Sequence, residues 1–234
     1  MKYALVFILC VLLLAGCESK EPDNTVSSAS GAVSDSSSYS SEPEKQLLKK
    51  KIAKNTQGDI IQTVEYEYDA NGNTAIEKTY DGNGAVLEVI KYEYSEDRLV
   101  REIHVDGSEN VTKSIEYVYE NGRISYENID GEKKAVYTYN DKDRLAKIDY
   151  GTNQVYYVYT AEGILAQEVV GDGNDVYATT DYRYYEDGTI ASVSETSADG
   201  VFTIYYKYKG DKVLDTAELC DSIGAVLQYI DYIY

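Results

Sequence analysis

Several residue types that carry chemistry or rigidity are scarce in this chain of 234 residues. It has no tryptophan, two prolines, three cysteines and one histidine. A single histidine, His104, and widely separated cysteines leave no Cys/His cluster of the kind that binds structural zinc. Both prolines, Pro22 and Pro43, precede residue 58, so nothing after that point carries the residue that most strongly interrupts β-strands.

Positive charge is also scarce. The chain has 22 Lys and Arg against 41 Asp and Glu, which gives a formal net charge of −19. A surface this acidic repels nucleic acid and anionic lipid headgroups and favours cationic partners or divalent ions. The same charge also keeps a sheet-rich protein soluble, so on its own it names no partner.

The N-terminus has the pattern of an export signal. Lys2 is followed by an apolar run from Val6 to Leu14, which is too short to cross a bilayer, and then by small residues. Leu14-Ala15-Gly16-Cys17 resembles the lipobox of bacterial lipoproteins. The resemblance implies cleavage of residues 1–16 and attachment of diacylglycerol to Cys17, which would anchor the chain to a bacterial cell membrane or envelope. An ordinary secretory signal is the alternative.

Between the signal and the repeats lies a polar segment. Residues 17–57 are rich in serine and show no hydrophobic periodicity, which predicts a flexible tether. Within it, Glu44 to Lys54 is a short basic stretch that has the composition for one or two helical turns. By the lipobox resemblance, Cys10 would leave with the signal and Cys17 would be lipidated. Cys220 is then unpaired, and we interpret it as a small buried hydrophobe rather than a reactive thiol.

Residues 58–234 are dominated by one repeated motif, Tyr-x-Tyr. Successive copies begin 20 to 26 residues apart, a period that is typical of repeat architectures. The copies are Tyr66/Tyr68, Tyr92/Tyr94, Tyr117/Tyr119, Tyr137/Tyr139, Tyr157/Tyr159, Tyr182/Tyr184, Tyr206/Tyr208 and Tyr232/Tyr234. The motif therefore predicts about seven repeats and a closing strand.

Each repeat has the pattern of a β-hairpin. The residue two before each Tyr-x-Tyr is apolar in all copies but one, where it is Thr180, so one face of a strand is apolar. Turn residues such as Asn71-Gly72 follow, then an aliphatic residue that opens a second strand, then a second turn such as Asp81-Gly82. The sequence predicts an all-β domain, an antiparallel array of hairpins in a spiral or extended sheet.

Two hairpin-repeat families resemble this pattern. Tyr66 to Asn73 resembles the start of the YD repeat, and Glu120 to Ile124 and Asp143 to Leu145 resemble its second half. That family includes rearrangement-hotspot (RHS) proteins, teneurins and the shells of insecticidal toxin complexes, and it implies a spiralling antiparallel sheet. The segment from Tyr184 to Ile190 is equally similar to MORN-like repeats, the second choice.

The sequence shows no catalytic motif, and we expect no catalytic residue, no metal site and no cofactor. His104 lies on the polar side of a strand without a nucleophile motif beside it. The Asp/Asn/Gly turns do not have the spacing of a calcium-binding loop. A membrane barrel, which the C-terminal Tyr234 suggests, is disfavoured because the outward strand faces are partly polar.

We therefore expect a lipid-anchored extracytoplasmic binding or scaffold module. Its membrane contact is the lipid anchor, and an envelope protein or a glycan is a possible ligand, with no nucleic acid. The alternatives are a glycan-active hydrolase with a carboxylate pair and a purely structural spacer. Function in the repeats is expected where the pattern breaks, at Tyr156, Thr180, Tyr185 and Tyr205.

Overall fold

The computed structural model describes residues 46–234 as sixteen β-strands and one short 3-10 turn, Gly210–Lys212. Cys17 and the serine-rich part of the tether lie outside the described residues. The strands are β1 (Lys50–Lys54), β2 (Ile60–Tyr68), β3 (Thr74–Asp81), β4 (Val86–Ser95), β5 (Arg98–Asp106), β6 (Val111–Glu120), β7 (Arg123–Ile129), β8 (Glu132–Tyr139), β9 (Leu145–Asp149), β10 (Gln154–Tyr159), β11 (Leu165–Gly171), β12 (Val176–Tyr184), β13 (Ile190–Ser197), β14 (Gly200–Lys209), β15 (Val213–Cys220) and β16 (Val226–Ile233).

The sheet is a closed barrel. Each strand pairs antiparallel with its sequence neighbours, and β1 pairs with both β2 and β16, which joins the two ends of the sheet. The prediction of an all-β antiparallel fold is confirmed. The prediction of an open or spiralling array is wrong, because the sheet curls until its first and last strands, β1 and β16, pair with each other.

Strand β1 is the partner of β16, the strand that carries the eighth Tyr-x-Tyr motif. Residues 50–54 were assigned by sequence to the tether, with helical turns, but they form a strand that pairs along its whole length. Lys51 lies opposite Tyr232, in the place that the second strand of each other hairpin fills. The expected closing strand, β16, thus pairs with the first strand of the domain, and the eighth Tyr-x-Tyr strand obtains its partner from the other end of the described chain.

The two ends of the barrel differ in their turns. The turns that follow each Tyr-x-Tyr lie at one end, which we call the tyrosine end, together with the start of β1 and the C-terminus. The other end, the far end, carries the second turn of each hairpin. These turns lie at residues 55–59, 81–85, 106–110, 130–131, 150–153, 171–175, 198–199 and 221–225.

The second tyrosine of each motif joins one hairpin to the preceding one. Its hydroxyl donates to a backbone carbonyl at the start of the neighbouring strand, as from Tyr119 to Leu99, 2.7 Å. The same bond recurs from Tyr68 to Leu48, Tyr94 to Thr74, Tyr139 to Ile124, Tyr159 to Leu145, Tyr184 to Leu165 and Tyr208 to Ile190. A neutral hydrogen bond contributes about 1 kcal/mol, so the set is a large part of what holds the hairpins in register.

The arginine before that carbonyl residue has a matching role. The guanidinium of Arg98 lies 5.4 Å from the ring centre of Tyr119, and that of Arg123 lies 4.8 Å from the ring of Tyr139. Arg144 and Tyr159 repeat the arrangement. An arginine over a tyrosine face is a favourable cation–π contact. In the Arg-Leu and Arg-Ile pairs of the sequence, the arginine therefore contacts the ring of the tyrosine of the next repeat, and the following residue accepts the hydrogen bond from its hydroxyl.

The outer face of the barrel carries charge pairs along mid-strand positions. Lys78 and Glu67 are 2.7 Å apart across β2 and β3, and Lys50 and Glu65 are 2.8 Å apart across β1 and β2. Further pairs are Lys54–Asp231, Lys147–Asp149 and Lys207–Glu218. Among residues 46–234 no helix is long and apolar enough to span a bilayer.

Two glycines at the far end let neighbouring strands pack closely. A Cβ atom on Gly82 would overlap the carbonyl oxygen of Ile60, and one on Gly107 would overlap that of Val86. Each glycine lies in a far-end turn and faces the first residue of the preceding even-numbered strand. In Asp81-Gly82 and Asp106-Gly107, glycine is thus required by close contact with the neighbouring strand rather than by a positive φ.

Candidate functional site

The first tyrosine of each motif lines the interior of the barrel at one level. In the barrel register each of these tyrosines faces one residue of the adjoining strand. The facing pairs are Tyr66 with Glu77, Tyr92 with Glu102, Tyr117 with Glu127, Tyr137 with Ile148, Tyr157 with Glu168, Tyr182 with Val193, Tyr206 with Ala217 and Tyr232 with Lys51. Four of the eight facing positions are glutamate, which gives the interior a ring of tyrosines with carboxylates between them.

The interior glutamates accept hydrogen bonds from the tyrosine of the next repeat. Tyr117 donates to Glu102 at 2.8 Å, and Tyr137 donates to Glu127 at 3.0 Å. On the other side of the barrel Tyr182 donates to Glu168 at 2.8 Å. Each of these carboxylates therefore lies opposite the tyrosine of its own hairpin and accepts a hydrogen bond from the tyrosine of the next hairpin.

Burial changes the protonation of these carboxylates. Desolvation raises the pKa of Glu77, Glu127 and Glu168, and Glu127 is only 4% exposed. Burial also lowers the pKa of Lys51, which faces the same interior and is attracted by Glu77. Most of the first tyrosines of the motifs, which form the interior ring, are half-buried rather than fully buried. Sixteen-strand barrels are wide enough to leave space inside, and these carboxylates face that interior.

His104 belongs to the same wall. Its Nδ1 lies 2.8 Å from Glu88 Oε1, and its Nε2 lies 3.4 Å from Glu102 Oε2, close enough for charge attraction but without hydrogen-bond geometry. Glu102 and then Glu88 raise the pKa of His104, while burial and Lys113 oppose that shift. The histidine is therefore part of an ion-pair cluster on β4, β5 and β6.

The wall opposite this cluster is apolar. Val193, Tyr206 and Ala217 form a buried cluster on β13, β14 and β15, with Leu219 also buried nearby. In the strand order β14 stands eight strands from β6, so the two walls face each other across the barrel. The interior is thus amphipathic, with most of its facing carboxylates on one side and an apolar cluster on the other.

The other residues selected from the sequence lie in different parts of the barrel. Tyr156 and Tyr205 are exposed on the outer face, and Tyr185 lies in a turn where it donates to the Tyr206 carbonyl at 3.0 Å. Thr180 is half-buried and faces Glu168 in the register. Cys220 is a free, buried cysteine, as expected from the sequence, and its pKa is raised by burial. The structure does not bring the four pattern-breaking positions together.

An open groove of about 520 Å³ lies outside, along the short strands of the two 20-residue repeats. Its lining includes Lys134, Val136 and Lys147. Both of these lysines are already paired, with Glu132 and Asp149 respectively. Within residues 46–234 no group of three or more His, Cys, Asp or Glu side chains is placed to hold a metal ion.

The glutamate wall was missed by the sequence reading, although the sequence carries a signal for it. Each wall glutamate follows the first tyrosine of its repeat by 10 or 11 residues, as Glu77 follows Tyr66 and Glu102 follows Tyr92. A hairpin with a four- or five-residue turn brings those two positions side by side. Aligning the repeats on the second strand would have exposed the pattern.

The chain matches no known family model and no curated protein. Similar solved structures include a chain of the TcdB2-TccC3 complex (12% identity, TM-score 0.34), which covers 76% of this chain and 14% of that one. Others are a porin-like protein from Bacteroides uniformis (12%, TM-score 0.46, covering 80% of this chain and 96% of that one) and another from Bacteroides vulgatus (13%, 0.34, 81% and 99%). This chain thus corresponds to about one seventh of the length of the toxin-complex chain. Likeness at this level does not extend to function.

Replacing Glu127 by glutamine is expected to stabilise the protein at neutral pH. The pKa of Glu127 is raised by burial, so the folded state holds this proton more tightly than the unfolded state does. Stability from this group is therefore greatest below the ordinary glutamate pKa and falls as pH rises through the folded pKa. The glutamine side chain would keep an oxygen for the Tyr137 hydroxyl without the charge.

We expect a gain on the order of 1 kcal/mol in the free energy of unfolding at pH 7 and no difference near pH 4, by urea denaturation. Glu93→Gln on the exposed outer face of β4 is the matched control and should change little. A Glu127→Gln protein that is less stable at pH 7 would mean that the charge is favourable where it lies.

Proposed function

We propose that this protein is a binding barrel held at the cell envelope, and that its interior takes up a small organic cation with an apolar part. One observation carries the proposal. Glu77, Glu102, Glu127 and the Glu88–His104 pair line one interior wall, and the apolar cluster around Val193 lines the facing wall. A ligand that presents a positive charge to the first wall and an apolar group to the second is complementary to both.

The tyrosines favour the same class of ligand. A cation over a tyrosine face is stabilised by about 0.5–2 kcal/mol, depending on its desolvation. On the glutamate wall the first tyrosines of the motifs alternate with carboxylates. A cation beside this wall therefore meets both kinds of partner at once. Charge complementarity also speeds association, because an acidic barrel attracts cations from solution.

Binding accounts for the wall better than hydrolysis does. A glycan hydrolase needs one carboxyl group free to donate a proton and a second free to attack or to activate water. Here Glu102, Glu127 and Glu168 each accept a tyrosine hydroxyl, and Glu88 contacts His104. We propose that these carboxylates are fixed as parts of a recognition surface.

The envelope location rests on the N-terminus. Lipidation at Cys17 would tie the chain to a membrane, and the serine-rich segment would hold the barrel away from it. Residue 46 enters the barrel at the tyrosine end, where β1 starts.

Binding of benzyltrimethylammonium tests the proposed function. The chain has no tryptophan and 26 tyrosines, so ligand in the interior can be followed by tyrosine fluorescence as well as by calorimetry. We expect saturable binding of this cation and none of benzoate. The variant Glu102→Gln/Glu127→Gln should weaken binding at least tenfold.

The control is Glu93→Gln/Glu116→Gln, which removes the same charge from the exposed outer faces of β4 and β6. It should bind within about twofold of the parent protein. Equal losses in both double variants would show that net charge alone attracts the cation, and would contradict an interior site. Failure of the parent protein to bind would do the same.

A further inference from the structure

The far end of the barrel carries a rim of bare aliphatic side chains. Val111 is 64% exposed, Val176 is 65% exposed and Ile223 is 87% exposed. Most members of this rim lie at or beside the start of an even-numbered strand. We call it the far-end crown, formed by Ile60, Ile61, Val86, Leu87, Val111, Val176, Ile223 and Leu227.

Most of the crown is contiguous. The carbonyl of Ile60 packs on the turn that contains Gly82 and leads to Val86. The carbonyl of Val86 packs in the same way on the turn that contains Gly107 and leads to Val111. On the other side β16 pairs with β1, whose turn leads to Ile60, so Ile223 and Leu227 adjoin the same arc. The arc runs from β16 to β6.

The tyrosine end shows that such exposure is not a general feature of these hairpins. Strands there also begin with aliphatic residues, such as Leu99, Ile124 and Leu145, but these are half-buried. The tyrosine hydroxyls bond to their carbonyls and the tyrosine rings cover them. In the part of the chain that the structure describes, no ring of tyrosines covers the crown. Contiguous exposed apolar surface of this kind marks interaction sites on soluble proteins.

Carboxylates stand between the apolar residues of the crown. Asp81 accepts the backbone N–H groups of residues 83 and 85, and Asp106 accepts those of 108 and 110. These bonds hold the pKa of Asp81 and Asp106 below the usual range, so both stay charged. Asp221 makes the same contacts in the turn of Ile223. The four turns of the arc, at 55–59, 81–85, 106–110 and 221–225, contain no lysine or arginine.

We propose that the far-end crown docks a partner protein through a cationic amphipathic segment, with apolar side chains against the aliphatic arc and Lys or Arg against the turn aspartates. Charge decides between the occupants. A second copy of this chain would bring the same aspartates face to face, and an anionic bilayer would be repelled in the same way. Only a cationic apolar surface is complementary to both parts of the crown.

The probe is an 18-residue Leu/Lys amphipathic helical peptide, titrated into the whole chain by fluorescence anisotropy of a label on the peptide. We expect saturable binding that weakens with added salt. A Ser/Lys peptide of the same charge and a Leu/Glu peptide should bind at least tenfold more weakly. Leu87→Ser/Val111→Ser/Ile223→Ser should lower affinity for the Leu/Lys peptide at least tenfold.

The matched control is Val136→Ser/Val158→Ser/Ile233→Ser, which removes three exposed aliphatic residues away from the crown. It should bind the peptide within about twofold of the parent. If the crown variant has a lower unfolding midpoint, Ile223→Ser alone serves in its place, because that side chain lies in a turn and touches little. The crown variant should also bind benzyltrimethylammonium normally, which separates this surface from the interior site.

Three results would overturn the proposal. The first is equal loss of peptide binding in the crown and control variants. The second is self-association of the parent chain in sedimentation that the crown variant abolishes, which would make a second copy the occupant. The third is crown-dependent binding to vesicles of phosphatidylglycerol and phosphatidylethanolamine without binding to the peptide, which would make a lipid surface the occupant.

Discussion

A chain that lacks residues 46–54 is expected to lose the monomeric barrel. Without β1 the strands at the two ends of the sheet are β16 and β2, which run in the same direction because both are antiparallel to β1. They cannot close the barrel in the antiparallel pattern that all other pairs use. Two open edges invite pairing with other molecules. We expect oligomers in sedimentation, and destabilisation of any remaining monomer by more than about 4 kcal/mol.

Adding the missing strand back in trans should reverse the effect. A synthetic peptide of residues 46–55 offers the same backbone partners to β16 and β2, and it should restore the monomer when added during refolding. The same peptide with Ile52→Pro and Lys54→Pro is the control, since proline removes donors from the ladder. A truncated chain that stays monomeric with an unchanged unfolding midpoint would show that β1 is not needed for closure.

Gly107→Ala is expected to destabilise the barrel by about 2–3 kcal/mol. A Cβ atom at this position meets the Val86 carbonyl oxygen, which belongs to the backbone and cannot rotate away. Relief requires the end of β5 to move away from the start of β4 at the far end, and overpacking of this kind typically costs about 1–3 kcal/mol. The free energy of unfolding in urea measures the cost.

Gly210→Ala is the matched control for that substitution. Gly210 also lies between two strands, but its added Cβ meets nothing within 4 Å and its backbone does not need a positive φ. We expect a change within about 0.5 kcal/mol. Similar losses in the two variants would indicate that turn flexibility, rather than close contact with the neighbouring strand, makes Gly107 necessary.

The repeat unit could be predicted from the sequence because its signals are local. The period-two pattern before each Tyr-x-Tyr and the Asn-Gly or Asp-Gly turns after it describe a hairpin without reference to any distant residue. The Tyr119–Leu99 hydrogen bond and the Arg98–Tyr119 contact join neighbouring repeats. The residue types that make them belong to the YD-repeat pattern, but that pattern does not show that they contact each other. Hairpin existence and strand direction were therefore accessible.

Closure and the interior wall could not be predicted in the same way. Lys50–Lys54 contain no tyrosine and resemble a basic lead-in, because their pairing partners lie on β2 and at the far C-terminal end of the chain, on β16. The burial of Glu127 also depends on residues that are distant in the sequence. A glutamate on a hairpin normally faces water, as the glutamates of the outer face of this barrel do. Only curvature of the whole sheet distinguishes the concave side from the convex side.

The position of β1 determines how the barrel would respond to a mechanical load. The chain before residue 46 joins the domain at the start of β1, and β1 runs from the tyrosine end towards the far end between β16 and β2. Its ladder bonds lie across the strand direction. A pull on the tether along the barrel axis would load the bonds to both neighbours together, in shear, instead of breaking them one at a time. The strand that closes the barrel is therefore also the strand that would receive a load applied to the chain before residue 46, and it is held in the stronger of the two loading geometries.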